Sequence, residues 1–230
     1  MPGRGILGEG TSVALGWLKG VTDRLRGGGE PARAQREAHK RARAFALEVH
    51  QAIPRALQDG NRAALEALVQ KPAELALAEE DVELELEALH GALDALTLRE
   101  SVGRDGLPVV AHQHKAIGED RCHFVASAFL ASDGSDRTGR LFLTDRRVLF
   151  MSTPMVSVSW GSVVSVDVQE RDLLIDANRG GPRYRFRCNS FSDARCAQVI
   201  AAAIKSQPAA APPARRDSSA TAADVPPESR

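Results

Sequence analysis

The sequence predicts an α+β chain: an α-helical N-terminal region, then seven β-strands and one closing helix. Three observations predict it. Apolar residues recur at helical spacing up to about residue 98 and at every second position from about residue 121. Between the two regimes lies Ser101 to Pro108, a stretch rich in turn formers that makes the best domain boundary. Finally, Gly139 to Ser152 holds two apolar runs around the polar corner Thr144, Asp145, Arg146 and Arg147, the pattern of a tight β-hairpin.

The N-terminal region divides at its glycines and prolines. Residues 1–29 read as a flexible N-terminus carrying a short amphipathic helix over 11–26. Ala14, Trp17, Leu18, Val21 and Leu25 share one face of it, with Lys19, Thr22, Asp23 and Arg26 mostly opposite. Gly27, Gly28 and Gly29 end it. A second helix starts near Pro31, a favoured first-turn residue, and runs to about Ile53. Its buried stripe is Ala38, Ala42, Phe45, Val49 and Ile53, and Pro54 is expected to kink or end it by removing a backbone donor. Asp59, Gly60 and Asn61 form a turn, with Asn61 capping a short helix that carries Leu65, Leu68 and Val69.

Pro72 then opens what reads as the longest helix, to about Leu98. Leu75, Val82, Leu86, Leu89, Leu93 and Leu96 recur in steps of seven, four, three, four and three, a seam of 3.5-residue period. Two readings of the seam stand open: packing inside a small bundle of this chain, or self-association with a second copy through the 72–98 helix. The same helix is rich in Glu and Asp while the second helix, from Pro31, carries a basic surplus, so the two are expected to lie side by side. Residues 30–100 are thus the helical region and 101–114 a linker.

Beyond the linker the candidate strands are Arg121–Ser132, Arg140–Thr144, Val148–Ser152, Val156–Trp160, Val163–Gln169, Leu173–Ala177 and Arg183–Cys188. Asn178 to Pro182 joins the last two as a turn. Ser192 or Asp193 then caps a helix whose inner face is Cys196, Val199, Ile200 and Ile204. Residues 207–230 are Pro-, Ala- and Ser-rich, a composition that reads as disordered.

Three segments carry a family resemblance: Ile117-Gly118-Glu119 leading into the first strand, the hairpin with its G-x-L-x-L-T-x-x-R-x-x-F pattern, and Val158 to Val166. Over residues 115–206 the chain resembles the GRAM and bacterial pleckstrin-homology-like (PH-like) domains. The resemblance implies a seven-stranded β-barrel closed at one open end by the C-terminal helix. It further implies a binding scaffold for lipid headgroups or peptides. PH domains that bind phosphoinositides place Lys and Arg in the loop between the first two strands. Here that loop is Asp133 to Thr138, with two acids and one base, which favours a protein partner over stereospecific lipid binding.

Composition narrows the function further. Thirty Lys and Arg balance thirty Asp and Glu, which argues against a nucleic-acid partner. The three cysteines are an odd number in a long chain, unlike a disulfide framework. No apolar run is long enough to span a bilayer and the N-terminus does not read as a signal peptide, so the expected location is cytoplasmic, with the inner face of the membrane as the alternative. No G-x-S-x-G elbow, P-loop lysine or strand-linked G-x-G-x-x-G is present, so no enzyme activity and no cofactor are expected. Cys122, His123, His112 and His114 match no zinc spacing. Cys122 and Cys188 alternate in phase with Phe124 and Phe186, which predicts both in the barrel core.

The candidate binding residues are basic. Arg183, Arg185 and Arg187 alternate with Tyr184, Phe186 and Cys188, so a strand sets three guanidiniums on one face, with Arg171 and Arg179 near in sequence. This strip suits acidic lipid or an acidic peptide, or it is a solvated face neutralised across the strand by Asp176 or Asp172. Trp17 with Lys19 and Arg24 suits a membrane interface, or Trp17 packs on the bundle. Two functions follow: an adaptor engaging a protein partner, or a peripheral protein binding anionic lipid through the PH-like domain and the Trp17 helix.

Overall fold

In the computed structural model the described residues are 29–112, 114–131, 136–178 and 180–207. Helix α1 spans Gly29–Asp59. It buries Ala42, Phe45, Val49, Ile53 and Ala56, one stripe at helical spacing. Pro54 does not end it. The helix continues past the proline because Ala56 and Leu57 still pack in the bundle, and Arg99 donates to the Leu57 carbonyl at 2.6 Å. Gly60 then takes φ +69°, in the left-handed region that favours glycine, and Asn61 caps α2 (Arg62–Glu74), accepting from the Ala64 amide at 3.1 Å.

The helix expected over 72–98 opens not at Pro72 but at Glu83. Pro72 lies within α2, the chain turns after Glu74 with Ala76 at φ +48°, and a short 3-10 turn over Glu79–Asp81 precedes α3 (Glu83–Asp105). The physical reason lies in the acidic run. Carboxylates are favoured at the positive end of a helix dipole, so Glu83 and Glu85 mark a first turn rather than an interior. The longest helix is instead α1, of 31 residues against 23 for α3. At its other end α3 runs on through Ser101 to Asp105, where Leu98 and Val102 pack on the sheet core, and Gly106 (φ +82°) ends it. The heptad-like seam faces inward: Val82, Leu89 and Leu96 are buried with Phe45, Val49, Leu65 and Leu68 of α1 and α2.

The strands are β1 (Cys122–Ala131), β2 (Arg137–Thr144), β3 (Arg147–Met151), β4 (Val156–Ser159), β5 (Val163–Gln169), β6 (Asp172–Ala177) and β7 (Arg183–Cys188). They form one antiparallel sheet in the order β4-β3-β2-β1-β7-β6-β5. Its two outer strands, β4 and β5, are edges, so among the described residues the expected barrel is not closed by hydrogen bonding. Helix α4 (Phe191–Ser206) packs Ala194, Ala197, Ile200, Ala201 and Ile204 against Leu141, Leu143, Val148, Phe150, Leu173, Ile175 and Phe186. Its cap is Ser190, which accepts from the Asp193 amide at 3.0 Å, and not Ser192 or Asp193. Cys196 and Val199 are only partly buried, and Ala194, Ala197 and Ala201 share the fully buried face with Ile200 and Ile204, which lets α4 approach both the sheet and α3 closely. Gly91 of α3 marks the second contact, since a Cβ there would meet the Ser192 nitrogen at 2.7 Å.

The hairpin stands as read, with Leu143 opposite Val148 and Leu141 opposite Phe150. Val148 and Phe150 are buried in the main core. The corner is held by groups the pattern did not reveal. Thr144 Oγ accepts from the Arg147 amide at 3.0 Å, and buried Asp120 accepts from Arg147 Nε at 2.8 Å, with Arg146 Nε 3.6 Å away. One cysteine departs from the expectation. A bulge between Cys122 and Phe124 breaks the alternation and turns Cys122 to the opposite face, against Ile117, Phe142 and Leu149. Cys188 does lie in the main core.

Candidate functional site

Strand β7 presents the arginine strip. Arg183, Arg185 and Arg187 are exposed, while Phe186 and Cys188 are buried on the other face. The register of β6 against β7 sets Asp176 opposite Arg183 and Asp172 opposite Arg187. Arg183 Nε donates to Asp176 at 2.6 Å, Arg185 Nε to Asp172 at 2.6 Å, and Arg187 Nε to Asp172 at 3.0 Å. Asp172 is buried, which pushes its carboxyl up, yet the hydrogen bonds and charges of Arg187 and Arg185 outweigh burial and hold it below the usual carboxylate range. Asp176 is likewise held low by hydrogen bonds from Arg183 and Ser165.

Arg171 turns away from the strip, toward the helices. It donates to Glu87 of α3 and lies over the Phe191 ring, 5.3 Å from its centre. Arg171 and Arg187 border a cleft of about 460 Å³ between the helical region and the sheet. Helix α1 contributes Val49, His50, Ile53 and Pro54 to it, and α3 contributes Leu84, Glu85 and Ala88. The β5–β6 turn adds Glu170, and α4 adds Phe191 and Arg195. Arg183 and Arg185 are not part of it. Arg179, Trp17, Lys19 and Arg24 lie outside the described residues.

Arg195 was not singled out by sequence reasoning. The signal was its spacing from Phe191: four residues apart on one helix, the two share a face. Its Nε is buried without a hydrogen-bond partner among the described residues, and burial holds its guanidinium below the ordinary pKa. The metal-suggestive residues are dispersed. His123 Nδ1 pairs with the Pro108 carbonyl at 2.7 Å, Cys122 faces the small cluster, and no group of three His, Cys, Asp or Glu is placed to hold an ion among the described residues. No helix among the described residues is long and apolar enough to cross a membrane.

No protein-family model matches the chain, and no curated protein sequence matches it. Solved structures that match include the C-terminal domain of an unknown protein from Leishmania infantum, at 11% identity and TM-score 0.33 over 47% of this chain and 94% of that one. A second is the ternary complex between human RhoA, its inhibitor and the DH/PH domain of human ARHGEF11, at 14% identity and TM-score 0.33 over 67% of this chain. A third, the linker-DH/PH domains of p115-RhoGEF, is 12% identical with TM-score 0.31 over 65% of this chain. The chain spans about half the length of these last two, 54% and 55%. At these scores the fold rests on the chain's own strands and helices, and no function is carried across.

Proposed function

We propose that this chain is a non-enzymatic binding protein of PH-like type that engages a protein partner in the cleft between its helical region and its sheet. The observation that carries this reading is the condition of the arginine strip. All three guanidiniums rest on the chain's own Asp172 and Asp176, so much of the positive potential that an anionic bilayer would meet is neutralised in place. The cleft, by contrast, is concave and offers an apolar wall from Val49, Ile53, Ala88 and Phe191, with Leu84 59% exposed at its rim. The PH-like reading is supported by seven antiparallel strands followed by a packed helix, and the GRAM resemblance rests on the hairpin pattern. A cytoplasmic location goes with both.

Binding of anionic lipid is the second reading, favoured by the exposure of the strip: the side chains of Arg183, Arg185 and Arg187 are 59%, 50% and 59% exposed. Co-sedimentation of the full chain with vesicles of neutral lipid, and of neutral lipid plus phosphatidylserine, at low salt separates the two. The protein-partner reading expects equal, low partition in both. Partition that rises with phosphatidylserine and falls in the variant Arg183→Ala, Arg185→Ala, Arg187→Ala would contradict it.

A further inference from the structure

We propose that Arg195 is the anchor of the cleft and takes a single carboxylate carried by an otherwise apolar peptide segment of the partner. This rests on the protein-partner reading above and names the chemistry it requires. The cleft holds three arginines, and two are already engaged, Arg171 by Glu87 and Arg187 by Asp172. Arg195 has no salt bridge, and its buried Nε no hydrogen bond, among the described residues. A buried guanidinium N–H without an acceptor is destabilising, and a ligand that supplies the acceptor relieves that cost.

The surroundings of Arg195 set the class of ligand. Val49, Ile53 and Ala88 are buried side chains that reach the cleft wall, and Phe191 lies one helical turn from Arg195. A ligand that covers these surfaces must be largely apolar. Glu85 and Glu170 also border the cleft, and both repel dense negative charge. One carboxylate can be matched by Arg195; a phosphate or a run of acids meets as well two glutamates that have no ion pair among the described residues. A flat bilayer cannot follow the concave wall. An apolar segment with one Asp or Glu fits all three conditions.

The test uses the full chain and short synthetic leucine- and alanine-rich peptides identical except for one central residue: Glu, Gln, Lys or phosphoserine. Binding is read by fluorescence anisotropy for the wild type and for Arg195→Met, with the melting temperature of both measured in parallel. The expected result is binding of the Glu peptide at least roughly tenfold tighter than its Gln and Lys counterparts, a preference abolished in Arg195→Met. Arg195→Met should melt no lower than the wild type, because it removes an uncompensated charge and keeps the apolar stem. Equal affinity for Glu and Gln peptides would overturn the role of Arg195 and leave the protein-partner reading intact. A preference for phosphoserine, or a Glu preference that survives in Arg195→Met, would overturn it in the same way. A melting temperature several degrees lower in Arg195→Met would make the arginine structural. If no peptide binds the wild type, this inference and the reading beneath it both fail.

Discussion

Arg171 and Glu87 join the two halves of the chain. Arg171, in the turn between β5 and β6, donates to the Glu87 carboxylate on α3, and the other oxygen of that carboxylate accepts from the Phe191 amide at 3.2 Å. One acid therefore ties a sheet turn, a bundle helix and the first residue of α4, where negative charge also meets the positive end of the helix dipole. Both side chains are about one-third exposed, so the tie is partly screened.

Glu87→Gln should lower the melting temperature by about 2–4 °C, corresponding to about 1 kcal/mol in a chain of this size. Adding Arg171→Ala to Glu87→Gln should cost little more, because the two changes remove one interaction. Fully additive shifts in thermal denaturation would show that the residues act independently.

Asp172→Asn should destabilise by about 1–2 kcal/mol at neutral pH, since it removes the acceptor shared by Arg185 and Arg187. The folded carboxyl is held below its unfolded value, so its contribution is present above about pH 4 and is lost as pH falls through the folded pKa. The difference between wild type and Asp172→Asn in urea denaturation should therefore shrink on acidification. A difference that grows below pH ~4 would reverse the assigned direction of the shift.

Much of this fold is legible in the sequence because each strand of the sheet carries its own period. β5 and β7 occupy Val163–Gln169 and Arg183–Cys188 as the alternation predicts. The helices are less legible where proline is read as punctuation. Pro54 and Pro72 both sit inside helices, where packing of Ile53, Ala56 and Leu68 sustains the turns around them. The bulge at Cys122 has no local signature, and it reversed one residue of β1. The cross-strand partners of the arginine strip, Asp172 and Asp176, follow from strand register. The Arg195 cleft does not, because it needs α1, α3 and α4 brought together by contacts far apart in the chain.

Phe150 is fully buried against Phe186, with ring centres 5.3 Å apart. Phe150→Ala should cost about 3–5 kcal/mol, read as a lower urea midpoint with little change in slope. A midpoint within error of wild type would remove Phe150 from the core.

The thiols should differ in reactivity. Burial, with smaller contributions from Asp193 and Asp172, pushes Cys188 up to about 12, and burial also raises Cys122 and Cys196. Cys188 and Cys122 are buried whereas Cys196 is partly exposed. In a disulfide-exchange assay at pH ~8, near the ordinary thiol pKa, Cys196 should react first and Cys188 only as the chain unfolds. Rapid labelling of Cys188 in the native protein would contradict this placement.

The most direct measurement of where this protein binds is an amide shift map of the full chain, recorded with the Glu-bearing peptide and separately with phosphatidylserine bicelles. The peptide should move amides around Val49, Ile53, Leu84, Ala88 and Arg195, while bicelles should leave those of Arg183, Arg185 and Arg187 unmoved. Shifts confined to that β7 strip with bicelles, and none in the cleft with the peptide, would contradict binding in the cleft.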